Sequence, residues 1–544
     1  MAAPQALPFL RIPPFPGHRA GPLAHIDAAA TISAEEATAL AAALREHRVG
    51  GTFWAAPPSA DLHGKLVLAP ESAAQLAEML AARPEAGAVL LAPPAISAPA
   101  GMTRIDAPCD PWSLAEQASS IWAGAGHELA LVAALSGKSA RLFGSGALAD
   151  CTTAEACTAR ALAGWRYRDP FSGADWEPRE AIAQLGAWRR LIESNRALAR
   201  VYGIAGWKRV TLDAMLWDGS GPVRHARRAD PAPTATDQVA VWQSRTPPAL
   251  VAAIAASGSA VAEIEDGFIR SSGLGANCVP PLSAIVDFSG VYFDPASPSD
   301  LEHLLEHSAI DLITCERAAR LRERLVEAAI SKYGQGSIGL HRPADGRRRI
   351  LVTGQVEDDR SILSGGKGLS NLELLAAARA LESDAWIIYK PHPDVEAGHR
   401  KGFVPEAEAL RFADEIQRDA PITALIDVVD GLHVITSLAG FEALLRGKPV
   451  TTHGVPFYAG WGLTRDLGAI PARRTRQRSL DELVAATLLL YPRYLDPVTR
   501  LPCPAEVVVE RMARGEARVT SPLVTLREWQ GRIQALWRRI TGGR

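Results

Sequence analysis

Short runs of β-branched and aliphatic residues alternate along the chain with longer Ala/Leu-rich stretches. Val239–Trp242 precedes the helix-patterned Pro248–Ala256, and Ile350–Thr353 precedes Leu369–Leu381, which leads to Trp386–Tyr389. Apolar runs of four or five residues suit buried strands, and the stretches between them have helical length and composition. This rhythm predicts an α/β fold of parallel sheets covered by helices on both faces. Gly334 to Arg349 (GQGSIGLHRPADGRRR) breaks the rhythm with Gly, Pro and charge, and reads as a linker.

The pattern also repeats. Arg166-Tyr167-Arg168-Asp169-Pro170 matches Arg493-Tyr494-Leu495-Asp496-Pro497 at an offset of 327, where Glu155 also falls on Glu482. Ile121, Ala125, Gly126 and Glu128 match Ile435, Ala439, Gly440 and Glu442 at 314, and Gly137-Lys138 matches Gly447-Lys448 at 310. A drifting offset is what loop insertions produce between duplicated units. The chain therefore reads as one and a half copies of a module. Residues 1–195 form a half-module that repeats the later domain, and 200–333 form the first domain of the complete copy. Residues 334–349 are the linker, 350–504 the second domain and 505–544 a helical tail.

Sixty acidic and 58 basic residues give a net charge of −2, which excludes a protein built around nucleic-acid phosphates. The cluster Arg473, Arg474, Arg476 and Arg478 is a local patch on this background. The six cysteines form no CxxC pair, and no HExxH motif or His/Cys cluster marks a metal site, so none is expected. No apolar run approaches the ~20 residues of a membrane span, and the proline-broken start does not read as a secretory signal. The expected compartment is the reducing cytoplasm.

Four motifs could carry chemistry. Glu265-Asp266-Gly267-Phe268-Ile269-Arg270 follows the strand-like Val261–Ile264 and puts two carboxylates and an arginine on the rim of a sheet, where ligands bind. Taken alone it reads first as an Asp-Gly turn with a structural ion pair. Gly354-Gln355-Val356-Glu357-Asp358-Asp359-Arg360 places three mutually repelling acids after a strand, which is costly without compensating partners. Tyr389-Lys390-Pro391-His392-Pro393 presents a lysine and a histidine in a proline-stiffened loop, more rigid than a solvated surface turn needs. In Thr436–Leu445, Ser437 can cap a helix whose N-terminus suits phosphate, Gly440 lies in its first turn, and Glu442 sits among Leu438, Phe441 and Leu445, where it needs a partner, either ribose hydroxyls or an ordinary ion pair.

Together, EDGFIRSSGLG, GQVEDDRSI, YKPHPDV, TSLAGFEALLRGKPV and PFYAGWGLT resemble the bacterial capsule polysaccharide biosynthesis/export family of the KpsC/LipB type, over residues 235 to 500. The resemblance implies two Rossmann-like domains in a glycosyltransferase-B-like arrangement, here preceded by a degenerate Rossmann-like half-module. It implies a β-Kdo glycosyltransferase that moves 3-deoxy-D-manno-octulosonic acid (Kdo) from CMP-Kdo, without a metal, to a lipid-linked or glycan acceptor. Carried over by motif, Asp359 is the nucleophile and Glu265 the acid/base. His392 belongs to the catalytic set and also holds donor. Asp266, Arg270, Gln355, Lys390, Ser437, Gly440 and Glu442 bind substrate. A donor phosphate and a sugar carboxylate call for cationic groups such as these, and retention calls for two successive inversions.

The first copy lacks this set. Aligned by sequence, Ala92 faces Lys390, Pro94 faces His392, Ala123 replaces Ser437, and only Glu128 is retained, opposite Glu442. The aromatic loop Phe457–Gly462 reads either as a sugar-stacking surface or as packing. Leu526, Trp529, Ile533, Leu536 and Ile540 form one helical stripe flanked by arginines, suited either to peripheral contact with the cytoplasmic face of the inner membrane or to closing a domain. The competing readings of the whole are a non-catalytic scaffold of the polysaccharide assembly machinery, or a transferase for another nucleotide sugar.

Overall fold

The computed structural model describes residues 8–106, 108–227, 230–270, 279–331, 334–335, 346–398 and 400–517. The stripe from Leu526 to Ile540, most of the expected linker and the end of the EDGFIRSSGLG motif lie outside these residues. Two compact units are present. The first comprises 1–197, 216–223 and 499–501; the second comprises 198–215, 224–498 and 502–544.

The first unit is built on a five-stranded parallel sheet. Its order is Thr103–Asp106, Val89–Ala92, Leu66–Ala69, Ser120–Gly124, Ala140–Phe143. A small antiparallel sheet joins Ala24–Ile26, Trp165–Arg168 and Asp175–Trp176. The second unit holds two six-stranded sheets. One is entirely parallel, in the order Glu415–Ile416, Trp386–Lys390, Arg349–Thr353, Gly431–Val434, Val450–Thr452, Arg465–Asp466. The other is mixed, which departs from the expected parallel rhythm. Leu198–Tyr202, Gln238–Val241 and Ala260–Asp266 run parallel, while Ser283–Asp287, Arg493–Leu495 and Pro502–Cys503 continue it antiparallel. Strands 493–495 and 502–503 thus complete the first domain's sheet, although sequence order had placed them with the second domain. The 493–495 and 502–503 strands cross back to that sheet, and both domains fall in the second unit.

The internal repeat has a physical counterpart. The 66–69 and 349–353 strands are each central in sheets of the same order, and equivalent contacts recur at shifted offsets. Lys138 Nζ donates to the carbonyls of Glu116 and Ala118 (both 2.9 Å), as Lys448 Nζ does to those of Asp427 (3.0 Å) and Val429 (2.9 Å). Asp169 accepts from the Phe171 amide, and Asp496 from that of Val498. Tyr167 pairs with Trp176 as Tyr494 pairs with Cys503.

Where the two domains of the second unit meet, Phe268 and Tyr292 of one pack on Phe441 and Phe457 of the other. Ring centroids lie 4.9 Å apart for Phe268–Phe457 and 5.3 Å for Phe441–Phe457. The aromatic loop expected either to stack on sugar or to pack does the latter: Phe457, Tyr458 and Trp461 are buried, and Trp461 Nε1 donates to the Phe457 carbonyl at 2.8 Å. Two of the four clustered arginines, Arg474 and Arg478, are buried. Arg473 and Arg474 both reach Glu302, Arg474 at 2.7 Å, while Arg478 donates to the carbonyls of Leu305 (2.6 Å) and Ser308 (2.8 Å). Arg473, Arg474 and Arg478 tie segment 471–478 to the 300–307 helix and the residue after it, while Arg476 is exposed.

Candidate active site

In the all-parallel sheet the chain leaves the 349–353 strand toward 386–390 and returns on its other side at 431–434. Ligands of open α/β sheets bind where that reversal opens a crevice at the carboxyl ends of the strands. Three of the four motifs occupy this edge. Gln355 follows the 349–353 strand and bridges the crevice: its Oε1 accepts from the Thr436 amide (2.9 Å) and its Nε2 donates to Thr436 Oγ1 (3.2 Å). Asn371 fixes Gln355 in turn, accepting from its amide at 2.9 Å and donating to its carbonyl at 2.8 Å. The clamp positions Ser437, whose hydroxyl accepts from the Ala439 amide at 3.2 Å and caps the Leu438–Leu445 helix. A helix N-terminus carries partial positive charge that suits an anion.

Gly440 has a steric reason to be glycine. A Cβ there would lie 2.2 Å from Tyr458 Oη, and Tyr458 in turn donates to the Ser437 carbonyl at 2.5 Å. Gly440→Ala is expected to cost about 1–3 kcal/mol through overpacking. In thermal unfolding, the double variant with Tyr458→Phe should lose less than the two single changes combined, because the clashing oxygen is gone. Glu442, two residues on, is 8% exposed.

Lys390 ends the 386–390 strand and donates to the Arg418 carbonyl. Burial draws its pKa below the ordinary lysine value, against the pull of Asp419 and Glu396. His392 caps the short turn Pro393–Glu396, its Nδ1 accepting from the Asp394 amide at 3.2 Å. In the neutral ring the proton therefore sits on Nε2.

The three consecutive acids are not left to repel one another. Glu357 accepts from the Asn371 amide (2.8 Å), Asp358 pairs with Arg400 (3.1 Å), and Asp359 caps the Arg360–Gly365 helix. Asp359 uses only Oδ1 for this, taking the Ser361 amide (3.0 Å) and hydroxyl (2.8 Å), and its residue is exposed.

Glu265 and Asp266 end the 260–266 strand of the mixed sheet. Asp266 lies between two buried cations, Lys208 Nζ at 3.0 Å and Arg270 Nε at 2.8 Å. Lys208 Nζ also sits 3.3 Å from the centre of the Trp242 ring, a cation–π contact. Burial pulls Lys208 down to about 8, with Asp266 opposing. Sequence reading missed this lysine. Its signal was position: Lys208, Thr211, Leu212 and Met215 share one buried helical stripe, where a lysine needs a partner. Arg360 was also missed. It reaches from the 360–365 helix to Gln243 and Glu263 of the other domain, and lies 4.0 Å from Glu265.

The first unit's matching edge corrects the alignment made from sequence. There Glu71 accepts from the Gly126 amide at 3.1 Å, the counterpart of Gln355 on Thr436. His127 caps the Glu128–Leu135 helix as Ser437 caps Leu438–Leu445, an offset of 310 and not 314. Ser437 is thus replaced by His127 and not Ala123, and Val132 stands where Glu442 would be. Glu128 instead meets Arg11 (2.6 Å) and Thr52 Oγ1 (2.7 Å). Burial raises its pKa, but Arg11 and Thr52 outweigh this and leave it below the ordinary value.

Among the described residues no group of three or more His, Cys, Asp or Glu side chains is placed to hold a metal ion. No helix among them is long and apolar enough to cross a membrane.

The family described as capsule polysaccharide biosynthesis protein matches residues 237–343 and 318–494. The capsule polysaccharide modification protein LipA of Neisseria meningitidis serogroup A is 47% identical over 252 residues, 46% of this chain and 36% of LipA. The lipopolysaccharide-processing protein LpsZ of Rhizobium meliloti is 47% identical over 236 residues, 42% of this chain and 53% of LpsZ. The chain therefore spans about a third to a half of the length of these curated relatives. A structure of Thermosulfurimonas dismutans KpsC, titled as a beta Kdo 2,4 transferase, is 30% identical with a TM-score of 0.50, covering 58% of this chain and 98% of that one. With its tandem Rossmann-like domains and these relatives, the chain belongs to the capsule polysaccharide biosynthesis protein family.

Proposed function

We propose that the protein is a glycosyltransferase of capsule or related surface polysaccharide assembly that moves Kdo from CMP-Kdo, with retention of β configuration, to a glycan or lipid-linked acceptor. The observation that carries this reading is the Gln355–Thr436 clamp, which opens the capped helix at Ser437 onto the same sheet edge as Lys390 and His392. A nucleoside monophosphate leaving group suits that edge. The helix amides and Lys390 carry the charge that accumulates on phosphate as the glycosidic bond breaks.

In the first step Asp359 attacks the anomeric carbon through Oδ2, and CMP departs with the bonding pair. In the second, the acceptor hydroxyl gives its proton to Glu265 and its oxygen displaces the Asp359 carboxylate. Two inversions give retention. A scaffold would need neither a buried lysine nor a clamped crevice, which favours catalysis over that reading.

Incubation of the protein with a panel of nucleotide sugars, followed by CMP release, tests the donor. Release from CMP-Kdo alone is the expected result, and turnover of a different nucleotide sugar overturns the assignment. Glu442→Ala should raise the donor KM about tenfold by removing a charged hydrogen-bond acceptor. Glu128→Ala should leave KM unchanged and lower thermal stability at pH 7. That deficit should close as pH falls through the acid range, because a carboxylate with a depressed folded pKa contributes fully above its unfolded value and loses the contribution as pH falls through the folded one.

A further inference from the structure

Arg360 follows Asp359 directly, yet its guanidinium leaves the domain that carries it. One arm meets Glu263 and the other Gln243, both in the mixed-sheet domain, and the plane lies 4.9 Å from the centre of the Phe293 ring. Glu263 and Glu265 are alternate residues of one strand, so their side chains leave the same face, and Arg360 is 4.0 Å from Glu265 as well. One planar, five-donor group thus touches the strand of one proposed reacting carboxylate while belonging to the loop of the other.

We propose that Arg360 is a positioning residue, a tether that fastens the Asp359 loop to the 260–266 strand and so sets the separation of Asp359 and Glu265. The inference rests on the transferase reading for its kinetic consequence, but not for its physical one. Glu263 is largely buried. Burial raises its pKa, Arg360 opposes this, and Asp287 and Asp294 raise it further. Glu265, on the same face of the strand, is a further charged neighbour. Without Arg360 the carboxylate must be protonated, or stay charged and uncompensated, and either choice loosens the contact between the domains.

Arg360→Met and Arg360→Lys in the full chain test the tether by two readouts. With CMP-Kdo and acceptor, Arg360→Met should lower kcat about 100-fold, the size of effect that an ångström-scale misplacement produces, with donor KM within threefold of wild type. Arg360→Lys restores charge but cannot hold Glu263 and Gln243 together, so it should recover only part of kcat. Arg360→Met within twofold of the wild-type kcat, or a loss confined to KM, overturns the positioning role.

Thermal unfolding supplies the readout that needs no substrate. A carboxyl whose folded pKa is raised loses stability as pH rises, so the Tm deficit of Arg360→Met should be about 2–4 °C larger at pH 7.5 than at pH 5. Arg360→Lys should remove most of that difference. Equal deficits at the two pH values overturn the tether itself. If wild-type protein releases no CMP from CMP-Kdo, the transferase reading fails, and the Tm comparison alone then decides the tether.

Discussion

Asp359→Asn should lower CMP-Kdo turnover by about 10³-fold or more while leaving the unfolding midpoint near that of the wild type. The two readouts separate because Asp359 has two duties. Its Oδ1 caps the 360–365 helix through Ser361, and asparagine caps as well as aspartate. Only the carboxylate can act as the nucleophile. Asp359→Ala should remove activity equally and in addition cost about 1 kcal/mol of stability, the usual value of a lost cap. Mixing wild-type protein with CMP-Kdo without acceptor should add one sugar mass, and peptide mapping should place it between Leu351 and Ser364. An adduct on Glu265 would exchange the roles of the two carboxylates.

Glu302→Ala should destabilise the second unit by about 3–5 kcal/mol, the largest single effect expected on its stability. Glu302 accepts from Arg473 and Arg474, and Arg474 is almost wholly buried, with the carbonyls of Pro456 and Ala459 as its other acceptors. Burial already pulls the Arg474 pKa below its ordinary value, and Glu302 is the leading force against it. Truncating the carboxylate strands the guanidinium. Replacing both sides of the pair by apolar residues, as in Glu302→Leu with Arg474→Met, should be far less costly than either truncation alone. Denaturant midpoints of Glu302→Ala, Arg474→Met and the double variant measure this, and a Glu302→Ala loss below about 1 kcal/mol would show that water reaches Arg474.

Most of the parts of the proposed site were legible in the chain, because they lie in short motifs whose spacing survives without neighbours. Residues after the 349–353, 386–390 and 431–434 strands must gather at one sheet edge once the strands are parallel, so Gln355, Lys390, His392 and Ser437 could be brought together from order alone. Their internal obligations could not be read. That Gln355 clamps Thr436, that Lys390 is already bonded to the Arg418 carbonyl, and that Gly440 makes room for Tyr458 depend on atoms far away in sequence. Lys208 and Arg360 escaped notice for the same reason. The apolar stripe around Lys208 asks for a partner without naming it, and Arg360 looks like a solvated residue until the opposing carboxylate is known.

The repeat shows where the boundary falls. Local chemistry by itself determined that the chain carries a duplicated α/β pattern, with Arg166–Pro170 echoing Arg493–Pro497 and a glycine-lysine pair after each helix. Apolar periodicity and turn residues act over a few positions and need no partner to be recognised. Only the tertiary structure decided the register between the copies, moving the helix offset from 314 to 310 and setting Glu128 against Arg11 and Val132 in the place of Glu442. It alone carried 493–495 and 502–503 back into the first domain's sheet, and it turned Arg474 and Arg478 inward. Long-range strand pairing and buried charge pairs are fixed by which surfaces meet, and a linear pattern holds no record of that meeting.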